Sequence, residues 1–94
     1  MSGRWEISEV VQRFEGGEVW YEAKITGPNG VRTEHRSASV PAHYSSSPSS
    51  RVLSVTFNAG DYPKAQAARD SIIQKLLADG WEPVDGNNKF RRAV

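Results

Sequence analysis

The sequence predicts an α+β domain, in which one helix packs across one face of an antiparallel sheet of four to six strands. Three observations predict it: apolar residues alternate in several short segments, glycine-rich turns separate them, and one longer segment repeats apolar residues at helical spacing. The predicted order is four strands, a helix and a final hairpin. We expect all 94 residues to form a single domain.

The composition narrows the class of protein. There is no cysteine, which excludes disulfides, thiolate catalysis and cysteine metal sites. The sequence contains no apolar run of signal-peptide or transmembrane length, so we expect a cytoplasmic protein without membrane association. The formal net charge is only +1, which argues against strong non-specific binding to nucleic acid.

Residues 4–14 and 18–26 are predicted to be strands joined at Gly16-Gly17. A two-residue glycine loop suits a tight hairpin turn, because both positions tolerate positive φ. Alternation in the second strand gives a set of residues that should face the core: Val19, Tyr21, Ala23 and Ile25.

The hairpin register then fixes the faces of the first strand. It places Phe14 and Val10 toward the core, and Trp5 and Ile7 on the opposite face. A β-bulge near residues 8–9 would return both to the core, and we favour that bulge. Without it, the outer face would itself need a partial cover.

The next turn, at residues 27–30, reads Gly-Pro-Asn-Gly and fits a three-residue loop with a bulge. That register places Lys24 opposite Glu34 and Glu22 opposite Arg36, so that opposite charges meet on the solvent face. A two-residue loop would turn the charged residues of the third strand toward the core. The three-residue loop instead turns a polar set inward: Thr33, His35 and Ser37.

Residues 37–50 contain seven serines and two prolines, and we interpret them as a flexible connecting loop. A lid or a phosphorylated segment is the alternative. Residues 51–57 are predicted to form the fourth strand, with three residues directed inward: Leu53, Val55 and Phe57.

Asp61 is the predicted N-cap of the helix. The helix is expected to end at Gly80, with Trp81 folding back on the last turn. Pro83 restricts the following strand to a sheet edge, and residues 89–92 form the final strand. The helix should bury a stripe spaced by three and four residues: Ala65, Ala68, Ile72 and Leu76.

Three segments resemble a family of small, mostly bacterial domains of unknown function: Trp5-Glu6, the stretch from Leu76 to Glu82, and Phe90-Arg91-Arg92. Members open with a tryptophan-bearing strand and carry a helix ending in Leu-x-x-x-Gly-Trp-Glu before a basic strand. The resemblance covers about a third of the chain, which departs from it through an extra hairpin and the serine-rich loop. It implies a fold and no catalytic residues.

Trp20 is predicted to face outward from the sheet, which suggests an interface. The expected partner-binding residues are Trp20, Arg13, Glu22 and Arg36, for a protein partner or a homodimer. Alternatively, Trp20 simply packs against Arg13 or the serine-rich loop. We predict an interaction module without catalytic activity.

Nucleic acid is the alternative partner. A basic and aromatic sheet surface could bind single strands or RNA through Arg51, Phe90, Arg91 and Arg92. These residues are interleaved with acids, and no RNA-recognition aromatic motif is present, so we regard this partner as the less favoured one.

The two histidines, His35 and His43, are not spaced as metal ligands, and we expect neither a metal nor another cofactor. His35 beside Tyr21 and Ser37 is better interpreted as a hydrogen-bonded, half-buried histidine than as a catalytic base.

Overall fold

The computed structural model describes residues 4–45, 54–86 and 88–94. It confirms an α+β fold with one helix across a mainly antiparallel sheet. The elements are β1 (Trp5–Glu15), β2 (Glu18–Gly27), β3 (Gly30–Arg36), β4 (Val40–Pro41), β5 (His43–Ser45), β6 (Ser54–Thr56), α1 (Tyr62–Ala78), β7 (Glu82–Asp85) and β8 (Lys89–Ala93). The main sheet has the order β3-β2-β1-β8-β7, with β4 also pairing to β2, and β5 and β6 form a separate two-stranded sheet.

The β1–β2 hairpin has the predicted register. Gly16 and Gly17 adopt φ values of 61° and 79°, as a two-residue hairpin turn requires. Phe14 lies opposite Val19, and Val10 lies opposite Ala23. The four β2 residues expected to face the core are all buried.

The predicted bulge near residues 8–9 was wrong. Pairing of β1 with β2 runs without interruption from Ile7–Thr26 to Glu15–Glu18. Because β1 also pairs with β8 over residues 5–9, a bulge would disturb ladders on both of its sides. Trp5 and Ile7 therefore remain on the face opposite the helix, 43% and 40% exposed. We call this the outer face, and the helix-covered side the inner face.

The core lies between the inner face and α1. The helix buries the predicted stripe of Ala65, Ala68, Ile72 and Leu76. It packs mainly on β2, with further contacts to β1 and β3. Phe90 of β8 and Trp81 complete this layer, at 2% and 3% exposure.

The register predicted for β3 was wrong over most of the strand. Gly27 pairs with Gly30, which makes the loop two residues long, and Lys24 lies opposite Thr33. Arg32 and Glu34 consequently lie on the inner side. There Arg32 Nη1 donates to Glu6 Oε2 at 2.6 Å, so the charge is paired near the end of the sheet.

Near the end of β3, a β-bulge shifts which side chains face inward and outward, so that the last residue returns to its predicted face. Pairing shifts between Glu22 and Ala23, where His35 takes a left-handed conformation with φ 62°. Arg36 then lies opposite Glu22, as predicted, on the outer face. His35 points toward the helix side, where Nε2 lies 2.8 Å from Asp79 Oδ2.

Part of the segment predicted as a loop, residues 37–50, forms strands. Val40 pairs with Val19 in β4, and Tyr44 of β5 pairs with Val55 of β6. The Tyr44 ring also packs on Phe14, with centroids 4.2 Å apart. Residues 46–53, including the predicted strand residues Arg51 and Leu53, lie outside the described residues. Val55 and Phe57 pack against the core, as predicted.

The end of α1 follows the predicted glycine stop. Gly80 has φ 91°, the Trp81 amide donates to Leu76 O at 3.0 Å, and the Gly80 amide donates to Leu77 O at 3.1 Å. This is a Schellman motif, in which the residue after glycine packs on the last turn. Trp81 and Leu76 are accordingly both buried.

We expect Gly80→Ala to lower the free energy of unfolding by about 1–2 kcal/mol, because an L-residue is strained in the left-handed region. Gly60→Ala is the matched control, since Gly60 lies in open space without positive φ. Urea unfolding of the two variants gives the comparison. Equal unfolding midpoints would contradict the assigned helix end.

The two buried serines should respond in opposite ways to alanine substitution. Ser8 Oγ has no hydrogen-bond partner among the described residues, whereas Ser37 Oγ accepts from the Tyr21 amide at 2.8 Å. Ser8→Ala removes an unsatisfied hydroxyl and should stabilise the fold by about 1 kcal/mol, and Ser37→Ala should destabilise it by about 1–3 kcal/mol. Thermal unfolding measures both, and destabilisation by Ser8→Ala would contradict the register of β1.

Candidate functional site

The structure brings the four predicted partner-binding residues into one group on the outer face. Trp20 Nε1 donates to Glu22 Oε2 at 2.8 Å, and Arg13 Nε donates to Glu22 Oε1 at 3.1 Å. The Arg36 guanidinium lies over the Trp20 ring, 4.2 Å from its centroid. We call Trp20, Glu22, Arg13 and Arg36 the Trp20 cluster. The tryptophan faces outward as expected, but it is half-buried because Arg36 covers it.

Glu22 is the centre of this cluster. Its side chain is only 16% exposed, yet both carboxylate oxygens accept a hydrogen bond. The bond from the Trp20 indole, followed by the bond from Arg13 and the charges of Arg13 and Arg36, holds the pKa of Glu22 below its ordinary value despite partial burial. The cluster is therefore fixed in one arrangement by an ionised carboxylate.

A second, similar group lies at the other end of the outer face. The Arg91 guanidinium lies 4.6 Å from the centroid of the Trp5 ring, and Arg91 Nε donates to Glu82 Oε2 at 3.3 Å. We call Trp5, Arg91 and Glu82 the Trp5 cluster. Trp5 is eight residues from Arg13, the cross-strand neighbour of Trp20, so the two clusters are about 27 Å apart along the strands.

The prediction from sequence missed the Trp5 cluster, because the favoured bulge would have turned Trp5 inward. The signal for it was the unbulged alternation of β1, which directs Trp5 and Ile7 outward. The alternation of side chains along β8 was a second signal, since it places Arg91 on the face opposite the core residue Phe90.

Apolar side chains extend across the outer face beside the Trp5 cluster. Ile7 of β1, Thr26 of β2 and Val31 of β3 are neighbours in consecutive strands. Ile7 is 40% and Val31 63% exposed. Trp5, Ile7 and Val31 thus give this end of the outer face exposed apolar surface, interrupted by Thr26, that no described element covers.

Charges on the outer face are balanced. Acidic and basic residues whose side chains are described occur in equal number: Glu9, Glu15, Glu18, Glu22 and Glu82 against Arg13, Lys24, Arg36, Lys89 and Arg91. A surface of this kind has no net field to attract a polyanion.

The residues of the nucleic-acid alternative do not form a common surface. Phe90 is buried in the core, and Arg91 and Arg92 lie on opposite faces of β8. Arg92 stacks on Trp81 at 4.3 Å and contacts Glu6 on the inner side. Arg51 lies outside the described residues.

The two histidines lie in different parts of the fold and do not form one site. His35 contacts Asp79 at the helix end, and His43 is an exposed residue of the β5–β6 sheet. Within residues 4–45, 54–86 and 88–94, no group of three or more metal-ligating side chains comes together. In the same ranges, no helix is long and apolar enough to cross a membrane.

Comparison of the chain with protein families, with curated proteins and with solved structures finds no match.

The depressed pKa of Glu22 predicts a specific pH dependence. Since the folded-state pKa lies below the ordinary value of 4.5, the interaction stabilises the fold fully above that pH and is lost as the pH falls through the folded pKa. Wild type should exceed Glu22→Gln in free energy of unfolding by about 1 kcal/mol at neutral pH, and the difference should vanish in strong acid.

Urea unfolding at a series of pH values tests this dependence. Glu18→Gln is the control, because Glu18 is an exposed glutamate of the same strand face without a described ion pair. A wild-type advantage over Glu22→Gln that does not change with pH, or one that Glu18→Gln reproduces, would contradict the assigned role of the carboxylate.

Proposed function

We propose that the protein is a small interaction module without catalytic activity, and that it associates with a second copy of itself through the outer face of its sheet. The observation that carries the proposal is the pair of Trp–Arg–Glu clusters at opposite ends of one face that no described element covers. Tryptophan and arginine are the residues that most often dominate protein interfaces.

The clusters are ordered before any partner arrives. Arg36 stacks on Trp20, and Glu22 anchors both Trp20 and Arg13. Side chains that are already fixed lose less conformational entropy on binding, so more of the contact energy contributes to affinity. In contrast, the rings already carry arginine on one side, which leaves less aromatic surface for stacking nucleic-acid bases.

A second copy is the partner that suits this face. In a two-fold interface the same patch contacts itself. For a two-fold axis that lies in the interface plane and runs roughly perpendicular to the strands, the Trp5 cluster of one copy lies over the Trp20 cluster of the other. The balanced charges favour such a contact, because a face with a large excess of one sign would repel its own copy.

The area of the face supports the same partner. The five strands have 11, 10, 7, 4 and 5 residues, so at about 3.4 Å per residue and a spacing of about 4.8 Å they cover roughly 600 Å². Specific protein interfaces bury about 600–1,000 Å² per partner, so the face corresponds to the lower end of that range.

The proposal also covers catalysis, location and the alternative partner, as expected from the sequence. Catalysis is not part of it, because the best candidate base, His35, pairs with Asp79 at the helix end and no third His, Asp or Glu joins them among the described residues. The expected cytoplasmic location belongs to the same proposal. Binding of RNA is the weaker proposal, since Phe90 lies in the core and the two arginines face opposite ways.

Size-exclusion chromatography with light scattering, over a concentration series, tests the dimer. We expect a wild-type dimer at micromolar concentration, and a dissociation constant at least about tenfold higher for Ile7→Glu, which buries an unpaired charge in the contact. Trp20→Ala should weaken the dimer by a similar factor by removing one cluster.

Leu77→Glu is the matched control, because Leu77 is 41% exposed on the helix side and Ile7 is 40% exposed on the outer face. Circular dichroism establishes that each variant is folded. A wild-type monomer at all concentrations would overturn the proposal. So would a dimer weakened by Leu77→Glu and unaffected by Ile7→Glu.

A further inference from the structure

The inner side of the molecule contains a cleft that the proposed dimer does not use. It lies between the first turns of α1 and the strands β1 and β2, and its volume is about 400 Å³. Clefts of about 300–1,000 Å³ are typical of small-molecule sites, and one near the lower end of this range suits a body of one or two rings. Gln12 and Tyr21 form its floor, and Phe57, Tyr62 and Ala65 line its sides.

The sides of the cleft present aromatic surface. Phe57 and Tyr62 meet edge to face, with ring centroids 6.3 Å apart and planes inclined by 72°. Tyr62 is 55% exposed, so a large part of its side chain is not covered by the core. Ala65 is small and leaves space between the helix and the sheet. Two rings at a steep angle suit a flat aromatic body that stacks on one of them and meets the edge of the other.

The floor of the cleft places a hydrogen-bond donor and an acceptor side by side. The Tyr21 hydroxyl donates to Gln12 Oε1 at 2.9 Å, which uses the hydroxyl proton and the amide oxygen. The Gln12 amide nitrogen remains a donor and the Tyr21 oxygen an acceptor, and neither has a further hydrogen bond among the described residues. Burial raises the pKa of Tyr21, so the phenol keeps its proton at neutral pH and these roles are maintained.

An adjacent donor and acceptor are complementary to the amide group of a lactam. Ring closure holds the carbonyl oxygen and the N–H of a lactam on the same edge of the molecule. The carbonyl can accept from the Gln12 amide nitrogen while the N–H donates to the Tyr21 oxygen. A ligand without the N–H would cover the Tyr21 oxygen and leave it unpaired, which costs affinity.

The groups that form this floor are uncharged. An amide and a phenol can pair with a neutral ligand without the cost of removing a charged group from water. An anion would also meet the carboxylate of Asp70, which lines the cleft and is exposed. The neighbouring Arg69 donates to Asn88 Oδ1 at 3.3 Å, and we assign it no contact with the ligand. The floor therefore favours an uncharged ligand.

We propose that this cleft binds a small, uncharged aromatic lactam, with its ring against Phe57 and Tyr62 and its amide edge on Gln12 and Tyr21. The site is independent of the outer face, so this proposal and the proposed dimer can fail separately.

An NMR titration of the isotope-labelled protein tests the site, with oxindole as the probe. N-methyloxindole is its match, because it has the same ring and carbonyl but no N–H. We expect amide shifts confined to the cleft, and oxindole should bind at least about tenfold more tightly than N-methyloxindole.

Tyr21→Phe tests the assigned hydrogen bond. It removes the acceptor for the lactam N–H and keeps the ring, so the preference for oxindole over N-methyloxindole should disappear. Tyr44→Phe is the matched control and should retain the preference, because Tyr44 packs on Phe14 away from the cleft. Circular dichroism establishes that both variants are folded. If Tyr21→Phe does not fold, Gln12→Leu decides, since Gln12 is exposed and its loss should weaken oxindole binding about tenfold.

Filling the cleft gives a further test. Ala65→Leu should abolish binding of both probes, whereas Ala67→Leu, on another side of the helix, should not affect it. If Ala65→Leu does not fold, the tyrosine and glutamine variants decide. The proposal would be overturned by absence of shifts at about 5 mM oxindole, by shifts outside the cleft, or by equal binding of the two probes to wild type. A preference for oxindole that persists in Tyr21→Phe would also overturn it.

Discussion

The pairing of β1 with β2 across Gly16-Gly17 is the constraint on which the rest of the structure depends. Side chains alternate along a strand, so a slip of one residue would exchange the two faces of the sheet. The observed register sends Val19, Tyr21 and Ile25 under the helix. The same register leaves Trp5, Ile7 and Trp20 on the outer face. The β1–β2 pairing therefore determines both the core and the candidate interface.

The two faces also differ in how they hold their charged groups. On the outer face, an arginine guanidinium lies over a tryptophan ring at each end. At the Trp5 end the stacked arginine also bonds a glutamate, whereas at the other end the Trp20 indole and Arg13 bond Glu22. On the inner side, charge is confined to the margin of the core, where Arg32 and Arg92 both contact Glu6. Because these charges are paired and lie at the margin, charged residues can occupy the inner face without leaving an isolated ion buried. No described element covers the outer face.

Features controlled by neighbouring residues could be predicted from the sequence. The glycine hairpin, the buried helix stripe and the stop at Gly80 with Trp81 all follow from local backbone preferences. The same holds for the outward direction of Trp20, which needs only the alternation of β2. Trp20, Glu22 and Arg13 could be grouped from the predicted β1–β2 register. Arg36 lies opposite Glu22 as predicted only because the β-bulge offsets the error in the predicted loop length.

Features that depend on distant residues could not be predicted in the same way. In the observed β3 register, Arg32 pairs with Glu6, which is 26 positions away in the sequence. The register also requires His35 to adopt a left-handed backbone conformation. Nothing in the local pattern indicates either. The bulge was the more attractive prediction because it would have turned Trp5 and Ile7 into the core. The unbulged strand instead leaves both exposed and buries the Ser8 hydroxyl without a described partner.

We propose that the outer face is a contact surface between two copies. The most direct measurement is an isotope-filtered NOE experiment on a sample that mixes labelled and unlabelled protein, because it detects only contacts between copies. We expect contacts that join the Trp5 end of one copy to the Trp20 end of the other. Contacts from the exposed side of α1, or a complete absence of contacts between copies, would contradict it.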